Sequence, residues 1–187
     1  VMGAVTSPFM TKMMATNLEL YQTGEGVSSS GVFYQAGSQY SIISSPFAAG
    51  WFCPTGSGIT MGLIIAIMLF SKRDDFKAIA KLAIPCGIFN INEPIIFGIP
   101  LVMNAVFAVP FFLAPIACIS LGYLVQYIGL CPLFVINVPW TTPVGLFGFL
   151  ASSGNIMGGI WQAVIIIGVS TLIYTPFVIA SNRQEAA

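Results

Sequence analysis

The stretch IPCGIFNINEPIIFGIPLVMN, residues 84–104, contains Glu93, the one charged residue between Lys81 and Arg183. A carboxylate alone among apolar residues is costly to keep. In a membrane tract such residues face a cavity, bind a ligand or find a partner. Pro85, Gly87, Pro94, Gly98 and Pro100 crowd the same stretch, and each internal proline removes a helical hydrogen bond and clashes with the preceding turn. A straight spanning helix is therefore not expected here. Irregular backbone at membrane depth is tolerated where protein or a water-filled cavity covers it, so a re-entrant hairpin over 85–103 fits.

The rest of the chain agrees with a membrane setting. Of 187 residues 57% are hydrophobic and only 6% charged, and the mean hydropathy is +0.92, whereas soluble domains carry about 25% charged residues. Several runs approach the roughly 20 apolar residues that cross a bilayer, and their spread along the chain excludes a lone signal peptide or anchor. The reading is an all-α, multi-pass protein whose first partner is the lipid bilayer. Zero net charge and a pI near 6.3 give no reason to expect a nucleic-acid partner. Cys53, Cys86, Cys118 and Cys131 lie singly and the chain has no histidine, so no metal site is expected and the cysteines read as small buried hydrophobes. No cofactor is implied. Val1 opens within an apolar helix-like stretch, so the chain is expected to be a fragment.

Along the chain, 1–22 reads as an apolar, methionine-rich helix and 23–45 as a Gly/Ser/Tyr-rich loop. Residues 46–70 are long enough to span, with Pro54, Gly56 and Gly58 interrupting their first half. Residues 71–82, SKRDDFKAIAKL, hold four of the six basic residues and are expected on the cytoplasmic side, as a short amphipathic surface helix or a solvated loop. Residues 105–128 and 157–180 form spans, with Pro110 and Pro115 as kinks in the first. Between them, 131–154 is broken by Pro132, Pro139, Pro143, Gly145 and Gly148 into a second hairpin. Counting from an inside 71–82 puts Arg183 and the C-terminus in the cytoplasm. Two interrupted segments entering from opposite faces mark substrate sites in secondary transporters.

Asn90, Asn92 and Glu93 form the strongest candidate cluster. Pro94 suits a first helical turn and Asn is a favoured cap, so a half-helix is expected to begin at Asn92 or Glu93. Together these side chains offer donors and acceptors suited to sugar hydroxyls; the alternative is that they only cap a buried helix end. Trp140, in NVPWTTPVG with Thr141 and Thr142, offers an indole face for a pyranose ring or, alternatively, an aromatic belt residue. Trp51 and Trp161 are better read as interfacial. Gly56 and Ser57, in the GSGIT turn, either pack helices closely or line a cavity with backbone. With no histidine and no second membrane carboxylate, a catalytic triad or metal centre is set aside.

On these residues the chain resembles the membrane subunit, enzyme IIC, of bacterial phosphotransferase-system sugar permeases in the lactose, cellobiose and diacetylchitobiose family. GIFNINEPIIFGIPLVMN at 87–104 carries most of the resemblance. GSGITM at 56–61, SKRDDFKAIAKLAIP at 71–85, VPWTTP at 138–143 and IYTPF at 173–177 follow in the family's order. Asn104-Ala105 and Pro54-Thr55 depart from its usual pattern, as does the lack of a preceding histidine segment. The resemblance implies an elevator-type transport domain over 1–187, without its N-terminal scaffold half, in a bacterial inner membrane. It also implies a homodimer in the full-length protein. The substrate it implies is a β-linked disaccharide, phosphorylated by a phosphorylated IIB subunit. Glu93 and Asn92 would bind sugar hydroxyls, Glu93 would also position or activate the accepting hydroxyl, Trp140 would stack on a ring, and the GSG turn would line the cavity. Two other readings stay open: a non-phosphorylating facilitator or ion-coupled carrier, and an inactive remnant.

Overall fold

The computed structural model describes residues 2–24, 27–28, 31–35, 38–52, 54–101 and 103–184, without the side chains of 2–5, 27, 28, 105, 183 and 184. Cys53, one of the four cysteines, and the Arg183 side chain thus lie outside the described residues. Helix α1 (Met2–Thr23) is followed by a two-stranded antiparallel pair, β1 (Val27–Ser28) and β2 (Gly31–Val32), and an irregular run to α2 (Ser45–Trp51). Then come α3 (Met61–Phe70), α4 (Asp74–Ile88), the short α5 (Glu93–Gly98), α6 (Ala105–Tyr127) and the short α7 (Leu146–Ala151). The chain closes with one long rod: α8 (Ile156–Ala163), a π-helical segment (Val164–Val169) and α9 (Ser170–Gln184).

Among the described residues two helices are long and apolar enough to cross a membrane, Val106–Tyr127 and Ile156–Asn182, at the positions expected for the spans. Helix α6 continues through Pro110 and Pro115, and Asn104 caps it by accepting from the Val106 amide at 3.0 Å. Asn155 caps α8 in the same way, accepting from Met157 at 2.7 Å.

Three expectations need correction. Residues 46–70 are not one span, because α2 and α3 are separated by a turn in which Thr55, Gly56, Gly58 and Ile59 all take left-handed φ angles of 52–81°. The amphipathic helix expected at 71–82 runs on to Ile88. Its buried stripe of Phe76, Ala80, Ala83 and Gly87 recurs at helical spacing, and Pro85 is tolerated on the opposite, exposed face. Trp51 is not interfacial. Trp51 is 0% exposed and stacks on Phe134 at 5.4 Å, in a niche where any Cβ at Gly122 would collide with its ring. Trp161 packs against the same core. The cysteine expectation agrees with what is described: Cys118 and Cys131 are buried and Cys86 half-buried, all as free thiols.

The apolar interior divides into two clusters. One gathers β2, α2, the C-terminal half of α6, the 131–138 chain and α7 around Trp51, Phe134 and Phe147. The other gathers α3, α4, α5 and the N-terminal half of α6 around Phe107 and Tyr174. Helix α6 and the closing rod feed side chains into both, Ile165 and Ile166 to the first, Tyr174 and Val178 to the second. The 131–151 chain contributes to the first cluster, and Ile95, Ile99 and Leu101 contribute to the second.

Candidate functional site

The site is built around the end of α4. Asn90 follows that helix with φ 65°, a left-handed conformation that Asn tolerates better than most residues. The Asn90 amide donates to the Gly87 carbonyl at 3.1 Å and the Ile91 amide to Cys86 at 3.0 Å, the paired bonds of a Schellman ending. This turn aims the Asn90 side chain inward, where it is 7% exposed. Its Oδ1 accepts from the Thr55 amide at 2.7 Å. Its Nδ2 donates to the carbonyls of Trp140 at 2.5 Å and Thr142 at 2.8 Å. One carboxamide therefore ties together the 54–60 turn, the end of α4 and the loop that carries Trp140.

Asn92 repeats the device two residues on. It occupies the cap position of α5 but its side chain makes no capping bond; instead Nδ2 donates to the Ser57 carbonyl at 2.7 Å. Gly56 lies against it so closely that a Cβ there would fall 2.3 Å from the Asn92 side chain. Gly58 is held from the other side, its carbonyl accepting from the buried Tyr174 hydroxyl at 2.7 Å. Thr60 Oγ1 donates to the Thr55 carbonyl at 3.1 Å, and the Met61 amide donates to Thr55 Oγ1 at 3.3 Å. The GSG turn is thus a fixed strip of backbone, and Gly58 also packs closely against Phe111 of α6.

A half-helix does begin at Glu93, with Pro94 in its first turn, as the sequence predicts. Glu93 itself is exposed, as are Ser57, Trp140 at 65% and Thr141, while Asn90 and Asn92 are buried. The predicted site residues therefore sort into buried amides that join segments and exposed groups free to meet a ligand. A groove of about 690 Å³, lined by Phe9, Met10, Met13, Tyr34 and Tyr123 among others, lies elsewhere and includes none of them. Among the described residues no cluster of His, Cys, Asp or Glu could hold a metal ion.

Sequence reasoning passed over Gln162 and did not single out Tyr174. Gln162 is fully buried; its Oε1 accepts from the amides of Gly145 at 2.9 Å and Gly148 at 2.7 Å, and its Nε2 donates to the Gly50 carbonyl at 2.9 Å. The signal was present: an isolated amide in an apolar span has the same cost logic that pointed to Glu93.

The family described as "Phosphotransferase system, EIIC" matches residues 1–115. The cellobiose-specific EIIC component of Lactococcus lactis is 42% identical over 142 residues, covering 74% of this chain and 27% of that protein. The oligo-beta-mannoside-specific EIIC component of Bacillus subtilis is 33% identical over 189 residues, covering 100% of this chain and 40% of that protein. The crystal structure of the transporter ChbC, the IIC component from the N,N'-diacetylchitobiose-specific phosphotransferase system, superposes with a TM-score of 0.84 at 33% identity, over 99% of this chain and 40% of that one. The chain thus spans two fifths or less of the length of these relatives.

Proposed function

From the premise that this chain belongs to the EIIC family of the phosphotransferase system, we propose that it is the sugar-binding part of a permease that imports a β-linked disaccharide. On this reading residues 1–187 belong to an elevator-type transport domain in a multi-pass bacterial inner-membrane protein. The segments 85–103 and 131–154 enter the bilayer as re-entrant arms, the C-terminus lies in the cytoplasm, and the full-length protein is a homodimer. The phosphorylated IIB subunit is the phosphoryl donor, so the chemistry on this side is binding and presentation of one hydroxyl.

Glu93 accepts hydrogen bonds from sugar hydroxyls and orients, or takes the proton of, the hydroxyl that is phosphorylated. Its place at the first turn of α5 supports this, since a helix N-terminus favours a carboxylate. Trp140 stacks on a pyranose face, Thr141 bonds its rim, and Gly56 and Ser57 present backbone along the cavity wall. Asn92 keeps hydrogen-bonding capacity for a sugar hydroxyl beyond its bond to Ser57. Asn90 spends its two N–H donors inside the protein, so it serves the sugar by holding the wall together. The observation that carries the reading is this Asn90 bridge, which sets the Glu93 and Trp140 segments side by side.

The test is uptake of labelled cellobiose by vesicles holding the full-length protein, with phosphorylated IIB enclosed on the face opposite the added sugar. Release as sugar phosphate is expected, and its loss in Glu93→Gln. Release of unmodified sugar alone would favour a non-phosphorylating carrier instead.

A further inference from the structure

The closing rod holds two turns, 145–148 and 54–60, and it does so from two residues twelve positions apart. Gln162 grips the 145–148 turn and Gly50; Tyr174 grips Gly58 in the 54–60 turn. Both are 0% exposed. In an uninterrupted α-helix, 3.6 residues per turn would set such a pair about 120° apart around the axis. Between them lies the π segment Val164–Val169. A π turn closes on i→i+5 rather than i→i+4, so it absorbs one extra residue. The twelve positions then cover the rotation of about eleven, which leaves the two side chains about 20° apart, on one face.

Widening the turn loosens the carbonyl ladder, and three successive carbonyls there receive side-chain donors. Cys118 Sγ reaches the Ile165 carbonyl at 3.7 Å, Ser170 Oγ donates to Ile166, and Thr171 Oγ1 donates to Ile167 at 2.6 Å. At its C-terminal end Ser170 lies so close to α3 that a Cβ at Gly62 would strike it, which pins the register of the two helices.

We propose that Gln162 and Tyr174 are positioning residues for the sugar site and that the π segment is the phasing element that lets one helix hold the 54–60 and 145–148 turns at once. This rests on the sugar-binding reading for its functional consequence but not for its structural one. The experiment is therefore read twice in the full-length protein, by hydrogen–deuterium exchange and by uptake kinetics. Tyr174→Phe removes a single hydroxyl. It is expected to raise exchange at least 10-fold in the 54–60 turn, leave 143–148 unchanged, and raise KM for cellobiose about 10-fold with kcat within 2-fold.

Gln162→Met is expected to do the reverse, raising exchange in 143–148 alone. Deleting Gly168, which is exposed and has no neighbour within 4 Å of a Cβ built on it, restores a regular α-helix in the same phase. That variant should keep both turns protected. An Ala inserted after Gly168 adds a second surplus residue and should unprotect one of them. Unchanged exchange in both turns of Tyr174→Phe, or loss of protection on deleting Gly168 with retention on insertion, would overturn the proposal. Should wild-type protein neither bind nor take up sugar while the exchange pattern holds, the functional reading fails and the phasing stands.

Discussion

The segment around Glu93 and the segment around Trp140 look alike in composition, both rich in Pro and Gly, yet they are built by different means. The first has helical arms, α4 and α5, joined by a left-handed turn at Asn90. The second has one extended arm. Its backbone pairs sideways, Leu133 donating to the Val32 carbonyl at 2.7 Å and Val135 to Ala151 at 2.9 Å, before the short α7 begins. In the first, side-chain amides of the segment itself reach outward to hold its neighbours. In the second, the anchoring amides belong to others, Asn90 and Gln162. The difference teaches that the Glu93 segment holds its neighbours while the Trp140 segment is held by others, so damage to the two should differ in kind.

Glu93→Gln should have the largest effect. It leaves the exposed shape intact but removes a charged acceptor, and losing a general base as well costs about 10²–10⁴-fold. Sugar-phosphate production by the full-length protein is expected to fall by at least 100-fold with the melting temperature unchanged. Gly56→Ala comes next, because a methyl group would collide with Asn92 at a left-handed φ of 80°. Sugar binding should be lost together with about 2–4 kcal/mol of stability, the range of overpacked and strained sites. Asn90→Ala breaks three hydrogen bonds, worth about 1 kcal/mol each, and should lower stability by about 3 kcal/mol while weakening Glu93- and Trp140-dependent binding together. Trp140→Ala should be mildest. Its ring is mostly exposed, so stability should stay within about 0.5 kcal/mol. Affinity should fall about 10-fold, as expected for losing about 60 Å² of apolar contact. A stability loss in Trp140→Ala as large as that of Asn90→Ala would erase the distinction between the segment that holds and the segment that is held.

Much of this was legible in the sequence because membrane interiors make rare polar groups informative. Glu93 stood out by isolation, and the half-helix at Glu93 followed from the Asn-Glu-Pro order. The same prolines could not say whether an arm is helical or extended, since they forbid a straight helix without choosing its replacement. Pro85 misled for a related reason: whether a proline breaks a helix depends on which face it occupies, and that is set by packing. Trp51 misled because interface and core both accept an indole, and only the glycine niche at Gly122 decides. The buried roles of Asn90, Gln162 and Tyr174 were not legible, because their partners are backbone carbonyls and amides, which every residue has.

The most direct test is Trp140 fluorescence during cellobiose titration of the full-length protein, taken as the difference between wild type and Trp140→Phe. A saturable change is expected that disappears in Glu93→Gln at unchanged melting temperature, since both residues would then serve one sugar. Undiminished titration in Glu93→Gln, or sugar binding that leaves Trp140 emission unaltered, would contradict a shared site.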